Sequence, residues 1–264
     1  MPALDFACFL ARVTQSPLTA LFLENLEAEK KALKPVTHAA AGETQFPGIP
    51  TGPVSSEKLM EDNILRVTNG CENRSVRCSV LRDEGMPVKS VITQSRYADV
   101  LVVDAATSFE KTFEGTPTHF VKDILEDAEC PVIIAPESFD EINEVIFAYD
   151  GTSSAAFALK QFSYIFPQFG EKKATLVRVN EKGEWPEKEK LTITAWLSNH
   201  YPSVEFHAIK GDTESQLFSY LFRKKNCMVV MGAYGRSGLS RFLKSSKADV
   251  IIKTMPLPVF ISHC

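Results

Sequence analysis

The chain has 264 residues, 44% of them hydrophobic, and no apolar run approaches the roughly 18 residues that a membrane-spanning helix needs. Its net charge of −4 combines −9 over residues 1–141 (13 Lys and Arg, 22 Asp and Glu) with +5 over residues 142–264 (16 and 11). We therefore expect no membrane partner and place any anionic ligand in the second half. Nucleic acid is not expected, because basic residues are interleaved with acidic ones.

Helices and strands alternate through the first half. Helical spacing of apolar residues, with start and stop signals, predicts helices over residues 3–14, 55–68, 87–96 and 118–127. Apolar or alternating runs predict strands over residues 18–24, 75–81, 99–104 and 131–135. Asn69-Gly70 is expected to end the second helix, and the polar stretch 28–53, with its prolines and glycines, is predicted to be a long loop.

The same alternation restarts after a connection near residues 136–143. Strands are predicted over residues 144–149, 174–180, 203–209, 227–231 and 258–262, and helices over 153–166, 187–199, 213–224 and 246–254. Ser153 or Ser154 is expected to cap the first of these helices. Strands that alternate with helices at this rhythm favour an α/β fold with parallel sheets.

The two halves repeat each other. SVRCSVL at residue 75 aligns with SVEFHAI at 203, DVLVVD at 99 with CMVVMG at 227, and PVIIA at 131 with PVFIS at 258, at offsets of 128, 128 and 127 residues. Such a repeat indicates duplication. We predict two domains, residues 1–138 and 139–264.

The first copy has no counterpart of the strand predicted at residues 144–149. Met1 aligns with about Ala156, so the first copy begins inside its first helix. Either the sequence lacks the true beginning of this domain, or a neighbouring chain supplies the strand. A continuous first-half sheet made only from residues 1–141 would exclude the borrowed strand.

Residues 231–249, MGAYGRSGLSRFLKSSKAD, carry the strongest functional signal. A very apolar strand ends at Gly232, Gly235 follows, and a basic loop of small residues leads to Ser245 and Ser246 before a predicted helix. Glycines let backbone N–H groups approach a ligand, and a helix N-terminus favours an anion. The stretch is either a phosphate cradle or a long connection in which a serine merely caps the helix.

With these residues in place, the second half resembles the universal stress protein family, and the whole chain resembles a tandem member of it. The family signature is Gly, two residues, Gly, nine residues, then Gly followed by Ser or Thr. Gly232 and Gly235 fall in register, and Ser245-Ser246 stand where Gly-Ser is expected. The resemblance implies two tandem Rossmann-like domains, similar to adenine nucleotide alpha hydrolases, with mainly parallel sheets, the first lacking its first strand.

The resemblance also implies a stress-response sensor or regulatory protein that binds an adenine nucleotide, ATP or AMP, with Mg²⁺ if ATP. By position, Asp150 would contact the ribose or base and Val179 the adenine, while Gly232, Gly235, Ser246 and the backbone near Lys247 would meet the phosphates. The remaining predicted site residues are their neighbours: Tyr149, Gly151, Met231, Ala233, Arg236 and Ser245. The Cβ of Ser245 occupies a close-approach position and argues against tight ATP binding.

The first copy departs further from this pattern. Its corresponding strand ends at Asp104 without a following pair of glycines. A carboxylate beside the expected phosphates is repulsive. We therefore predict that this copy binds no nucleotide in the manner of the family and has a structural or partner-binding role.

No catalytic or metal-binding residues are predicted. The chain has no GxxxxGK[ST] loop, no GxSxG or HExxH motif, and no CxxC pair among its six cysteines. A slow ATP hydrolase and a scaffold that binds no nucleotide remain as alternatives. With Asp5 and no basic residue before the first apolar run, a secretory signal is not expected, which predicts a cytoplasmic protein with reduced thiols.

The expected assembly is a pairing of the two domains, with a homodimer as a further possibility. The apolar segment 256–263, PLPVFISH, bears on both. It is either an ordinary last strand inside the sheet or an edge strand that pairs in a dimer.

Overall fold

The computed structural model of the chain describes residues 1–24, 56–110, 112–232 and 257–262. The helices are α1 (Pro2–Thr14), α2 (Ser56–Glu72), α3 (Pro87–Ser95), α4 (His119–Asp127), α5 (Ser153–Ile165), α6 (Glu187–Leu197) and α7 (Thr213–Leu221), with a short 3₁₀ helix at Pro167–Glu171. The strands are β1 (Leu18–Leu23), β2 (Cys78–Asp83), β3 (Leu101–Val103), β4 (Val132–Ile134), β5 (Glu144–Ala148), β6 (Lys173–Asn180), β7 (Val204–Lys210), β8 (Cys227–Gly232) and β9 (Val259–Ser262). Within these ranges, no helix combines the length and apolar character required to cross a bilayer.

The strands form two sheets. Seven strands lie in the order β3-β4-β9-β8-β5-β6-β7, and β1 pairs with β2 in a separate sheet. All neighbours run parallel except β4 and β9, which are antiparallel. The predicted α/β fold with mainly parallel sheets is confirmed. β9 lies inside the sheet, so its interpretation as an ordinary last strand is correct, and its ladder with β4 joins the two halves.

Burial on both faces explains the continuous apolar runs of the central strands. Every residue of β8 is buried, as expected for a strand covered by helices on both sides. One face of the large sheet packs against α5, where Phe162 is fully buried and lies 5.2 Å from the ring of Phe260 in a T-shaped arrangement. The other face carries Val177 and Val229. The sheet is thus the rigid platform on which the loops at its carboxyl edge are mounted.

Three local predictions are wrong. Helix α2 continues through Gly70 to Glu72 instead of ending at Asn69-Gly70. A Cβ at Gly70 would lie 2.7 Å from Cδ2 of Leu4, so this glycine permits close helix packing rather than terminating the helix. Strand β2 begins at Cys78 rather than Ser75, because Ser75 adopts a left-handed turn with φ of 57°. Helix α5 is capped by Thr152, whose side chain accepts a hydrogen bond from Ala155, and not by Ser153 or Ser154.

The predicted loop 28–53 and the predicted helix 246–254 lie outside the described residues. In the first half, the strands do not form one continuous sheet: β1 and β2 are separate from β3 and β4. A continuous first-half sheet would have excluded a borrowed strand, and the described residues do not form one.

Candidate functional site

The candidate site lies where the carboxyl ends of β5, β6 and β8 meet. Strand β5 is flanked by β6 on one side and β8 on the other. The chain leaves β5 toward β6 and later returns on the other side, which creates a crevice of the kind where ligands bind in open α/β sheets. The register places Ala148 of β5 beside Val177 and Met231. Asp150, Val179 and Gly232 therefore come to the same edge.

The turn after β5 holds the Asp150 carboxylate in place. Oδ1 accepts hydrogen bonds from the backbone N–H of Thr152 at 3.0 Å and from its hydroxyl at 2.7 Å. Thr152 in turn caps α5, since its Oγ1 lies 3.2 Å from the backbone nitrogen of Ala155. Gly151 has φ of +91°, a conformation that a glycine adopts without strain. The turn thereby fixes one carboxylate oxygen and leaves Oδ2 without a donor from any residue that the structure describes.

Gly232 is in direct contact with the start of α5. A Cβ added there would lie 2.5 Å from the carbonyl carbon and oxygen of Ser154 and 2.6 Å from the nitrogen of Ala155. These are backbone atoms, so the contact cannot be relieved by a rotamer change. The close approach of helix to strand is therefore a sufficient reason for the glycine, independent of any phosphate. It also sets the first turn of α5 against the end of β8, where the helix N-terminus favours an anion.

Val179 and Met231 form an apolar wall beside this turn. Their exposed fractions are 8% and 9%, and both belong to the core cluster on one face of the sheet. The half-buried Ala148 packs against the same cluster. An apolar wall next to a hydrogen-bond acceptor is the usual composition of a small-molecule site.

The side chain of Tyr149 belongs to the opposite face of the sheet. It stacks on Trp185 with ring centroids 5.8 Å apart, and burial raises the pKa of Tyr149 to about 12. Arg178 lies over the same Trp185 ring at 5.5 Å and forms an ion pair with Glu189. Tyr149 can therefore contribute only its backbone to the crevice.

The Arg178–Glu189 ion pair packs against Gly151 in the turn that follows β5. A Cβ on Gly151 would approach Arg178 Nη2 to 3.1 Å and Glu189 Oε1 to 3.2 Å. Sequence reasoning missed Thr152, Arg178, Glu189 and Trp185. The available signal was Arg178, a charged residue within the otherwise apolar strand ATLVRVN.

Half of the predicted site lies outside the described residues. These positions are Ala233, Gly235, Arg236, Ser245, Ser246 and Lys247. The structure brings Asp150, Gly151, Val179, Met231 and Gly232 to one edge, and the proposed phosphate contacts of the loop remain predictions.

Comparison with known proteins gives a family match for part of the chain. Residues 163–263 match the Universal stress protein family. The matched residues all lie in the second half of the chain. No curated protein matches the chain.

Solved structures extend the likeness to the first half. A universal stress protein from Archaeoglobus fulgidus DSM 4304 is 20% identical over 78% of this chain and 77% of its own, with a TM-score of 0.62. A functionally unknown protein from Pseudomonas aeruginosa PAO1 and a putative universal stress protein from Pseudomonas aeruginosa UCBPP-PA14 are each 14% identical and cover 98% of this chain, with a TM-score of 0.60. The matched region spans 86% of the PAO1 protein and 87% of the UCBPP-PA14 protein. At these identities the likeness shows the fold alone.

The corresponding edge of the first half is arranged differently from that of the second half. Asp104, which follows β3, accepts a hydrogen bond on Oδ1 from the backbone of Ala106 at 2.8 Å. Beyond it, Glu114 accepts from Ser108 at 2.9 Å and lies 2.8 Å from His119 Nδ1. The loop is thus held by its own polar side chains. The predicted absence of a nucleotide here stays a prediction.

Proposed function

We propose that the second half binds an adenine nucleotide, ATP or AMP, at the carboxyl ends of β5, β6 and β8. The observation that carries this proposal is the Asp150 turn: one carboxylate oxygen is fixed, and the other faces no donor among the described residues. The Asp150 turn lies beside the buried Val179 and Met231, at the point where the strand order reverses on either side of β5.

The chemistry of the edge matches the parts of a nucleotide. The apolar wall suits an adenine ring, and a carboxylate oxygen accepts hydrogen bonds from ribose hydroxyls. The first turn of α5 beside Gly232 favours phosphate through its N–H groups. Arg178 is already paired with Glu189. In this proposal the negative phosphates are therefore bound by backbone N–H groups and by Arg236 and Lys247. Mg²⁺ would accompany ATP.

In this proposal, the chain acts as a stress-response sensor whose state depends on the bound nucleotide. Calorimetry with ATP, ADP and AMP, with and without Mg²⁺, tests the binding. We expect saturable heat and a rise in melting temperature. A folded protein that shows neither at millimolar nucleotide would reject the proposal in favour of a scaffold without nucleotide.

A matched pair of variants tests the site itself. Asp150→Asn preserves the shape of the turn and removes the charged acceptor, so affinity should fall by roughly tenfold or more, the effect of losing a hydrogen bond to a charged group. Asp104→Asn makes the same chemical change at the end of β3 in the first half, where the repeat aligns Asp104 with Gly232, and should leave the affinity unchanged. Equal affinity in the wild-type protein and Asp150→Asn would show that the nucleotide binds elsewhere.

Two further measurements decide the remaining alternatives. Release of phosphate, followed in the same titrations, distinguishes a slow ATP hydrolase from a binding protein. Sedimentation of the full chain tests the predicted homodimer. Because β9 is already paired on both sides, with β8 and β4, such a dimer would have to use another surface.

A further inference from the structure

Three of the six cysteines of the chain come together in the first half. Cys8 of α1 and Cys71 of α2 are both 0% exposed, and their Sγ atoms lie 3.8 Å apart, within hydrogen-bonding distance for sulfur. Cys78, the first residue of β2, packs against the small core that contains the other two. Its thiol is close enough to that of Cys71 to influence the ionisation of Cys71. We call these three residues the thiol cluster.

The packing of α1 on α2 holds the two buried thiols against each other. Arg74, in the turn after α2, donates a hydrogen bond to the carbonyl oxygen of Gly70 at 2.7 Å and forms an ion pair with Asp5 of α1. Leu4 of α1 packs closely over Gly70 on the same side. The thiol contact therefore lies inside an interface that polar and apolar contacts both fix.

The three thiols differ in their access to solvent. Of the five cysteines that the structure describes, Cys78 alone is not buried. Burial raises the pKa of Cys8 and that of Cys71, and the thiolate is the form of cysteine that attacks an oxidant. A dissolved oxidant is consequently expected to react first at Cys78.

We propose that the thiol cluster is an oxidation site, in which a hydroperoxide oxidises Cys78 and the oxidation is stored as a disulfide between Cys8 and Cys71. In the first step, the thiolate sulfur of Cys78 attacks a peroxide oxygen. The S–O bond forms, the O–O bond breaks, and the leaving oxygen takes up the thiol proton, as water when the oxidant is hydrogen peroxide. Cys78 is then a sulfenic acid.

Two transfers within the cluster move the oxidation inward. The sulfur of Cys71 attacks that of Cys78, so an S–S bond forms, the S–O bond breaks, and the hydroxide leaves as water with the Cys71 proton. The sulfur of Cys8 then attacks that of Cys71 and releases Cys78, which takes up the Cys8 proton. Contact between the sulfurs replaces a bimolecular encounter and compensates for the low thiolate fraction of the buried groups.

The final disulfide needs only a small movement. A disulfide bond is about 2.0 Å long, so the sulfurs of Cys8 and Cys71 must approach by roughly 1.8 Å from their separation of 3.8 Å. The bond would link α1 to α2 across a sequence separation of 63 residues. Such a link restricts the unfolded chain, so the oxidised protein should melt at a higher temperature than the reduced protein.

Peptide mapping of the full chain tests the proposal. Reduced protein is treated with equimolar hydrogen peroxide, alkylated, digested without reductant and analysed by mass spectrometry. We expect a disulfide between Cys8 and Cys71, an alkylated Cys78, a raised melting temperature, and reversal of all three by dithiothreitol. A disulfide between any other pair, or oxidation of Cys78 without a disulfide, would overturn the proposal and leave the cluster as ordinary core packing.

Variants separate the steps. Cys78→Ser keeps both buried thiols and should slow formation of their disulfide by about tenfold or more, because the reactive thiol is lost. Cys8→Ser should stop the sequence at a disulfide between Cys71 and Cys78; should it not fold, Cys8→Ala removes the same thiol. Cys227→Ser is the matched control, since Cys227 is also buried but lies in β8 of the other sheet, and it should change neither the pair nor its rate. A wild-type rate in Cys78→Ser would contradict entry of the oxidant at Cys78.

Discussion

The packing of α5 on β8 leads to a specific prediction for Gly232→Ala. The added methyl group would meet backbone atoms of Ser154 and Ala155 at 2.5–2.6 Å. Carbon atoms in van der Waals contact lie about 3.5–4.0 Å apart, so the first turn of α5 must move by roughly 1 Å. The helix anchors Ala158 and Phe162 in the core, with exposed fractions of 1% and 0%, and such a shift disturbs both.

Forcing an extra methyl group into a packed interior costs about 1–3 kcal/mol. At about 2–4 °C per kcal/mol for a protein of this size, we expect the melting temperature to fall by several degrees. Urea unfolding of wild type and Gly232→Ala measures the difference. Gly115→Ala is the control, because a Cβ there meets no atom within 4 Å and only the positive φ of 87° is penalised.

The outcome also decides how nucleotide binding should be interpreted. If Gly232→Ala is as stable as wild type, the contact with α5 does not restrict this position and our reasoning is wrong. If a Gly232→Ala variant of wild-type stability fails to bind nucleotide, the glycine is required for contact with the ligand. If it is destabilised as expected, loss of binding in any Gly232 variant says nothing about phosphate contacts. Asp150→Asn is the informative variant in that case.

Three other changes test separate parts of the protein. Ser245→Gly restores the third glycine of the family signature and is expected to tighten nucleotide binding in calorimetry; unchanged affinity would show that Ser245 is no obstacle. Arg178→Met removes the ion-pair partner of the half-buried Glu189, which should cost about 1–3 kcal/mol in urea unfolding, while Arg178→Lys should cost less. Burial of Glu144 opposes its ionisation, but hydrogen bonding to Lys224 and Thr175 outweighs this and lowers its pKa. Its stabilising contribution should therefore be present above the unfolded pKa of about 4.3 and be lost as pH falls below it, and Glu144→Gln should reduce this dependence in unfolding measured from pH 6 to 3.

Local sequence patterns determined most of the elements. The unbroken apolar run of β8 requires burial on both faces, and the turn residues around Asp150 place a carboxylate at the end of a strand. The repeat at offsets of 127 and 128 residues predicted the duplication. These features could be predicted because each depends on the period of one segment or on the comparison of two.

Contacts between distant segments were decided only in the tertiary structure. Gly70 resembles a helix stop, yet it lies inside α2 because Leu4 packs against it. The antiparallel pairing of β4 with β9, and the Tyr149–Trp185–Arg178 cluster behind the candidate site, join residues with no shared local pattern. For Gly232 the sequence established that a glycine was present, and only the approach of α5 supplied a reason for it. The physical cause is that a periodic pattern specifies which face of a segment is buried, whereas the atoms that cover that face come from elsewhere in the chain.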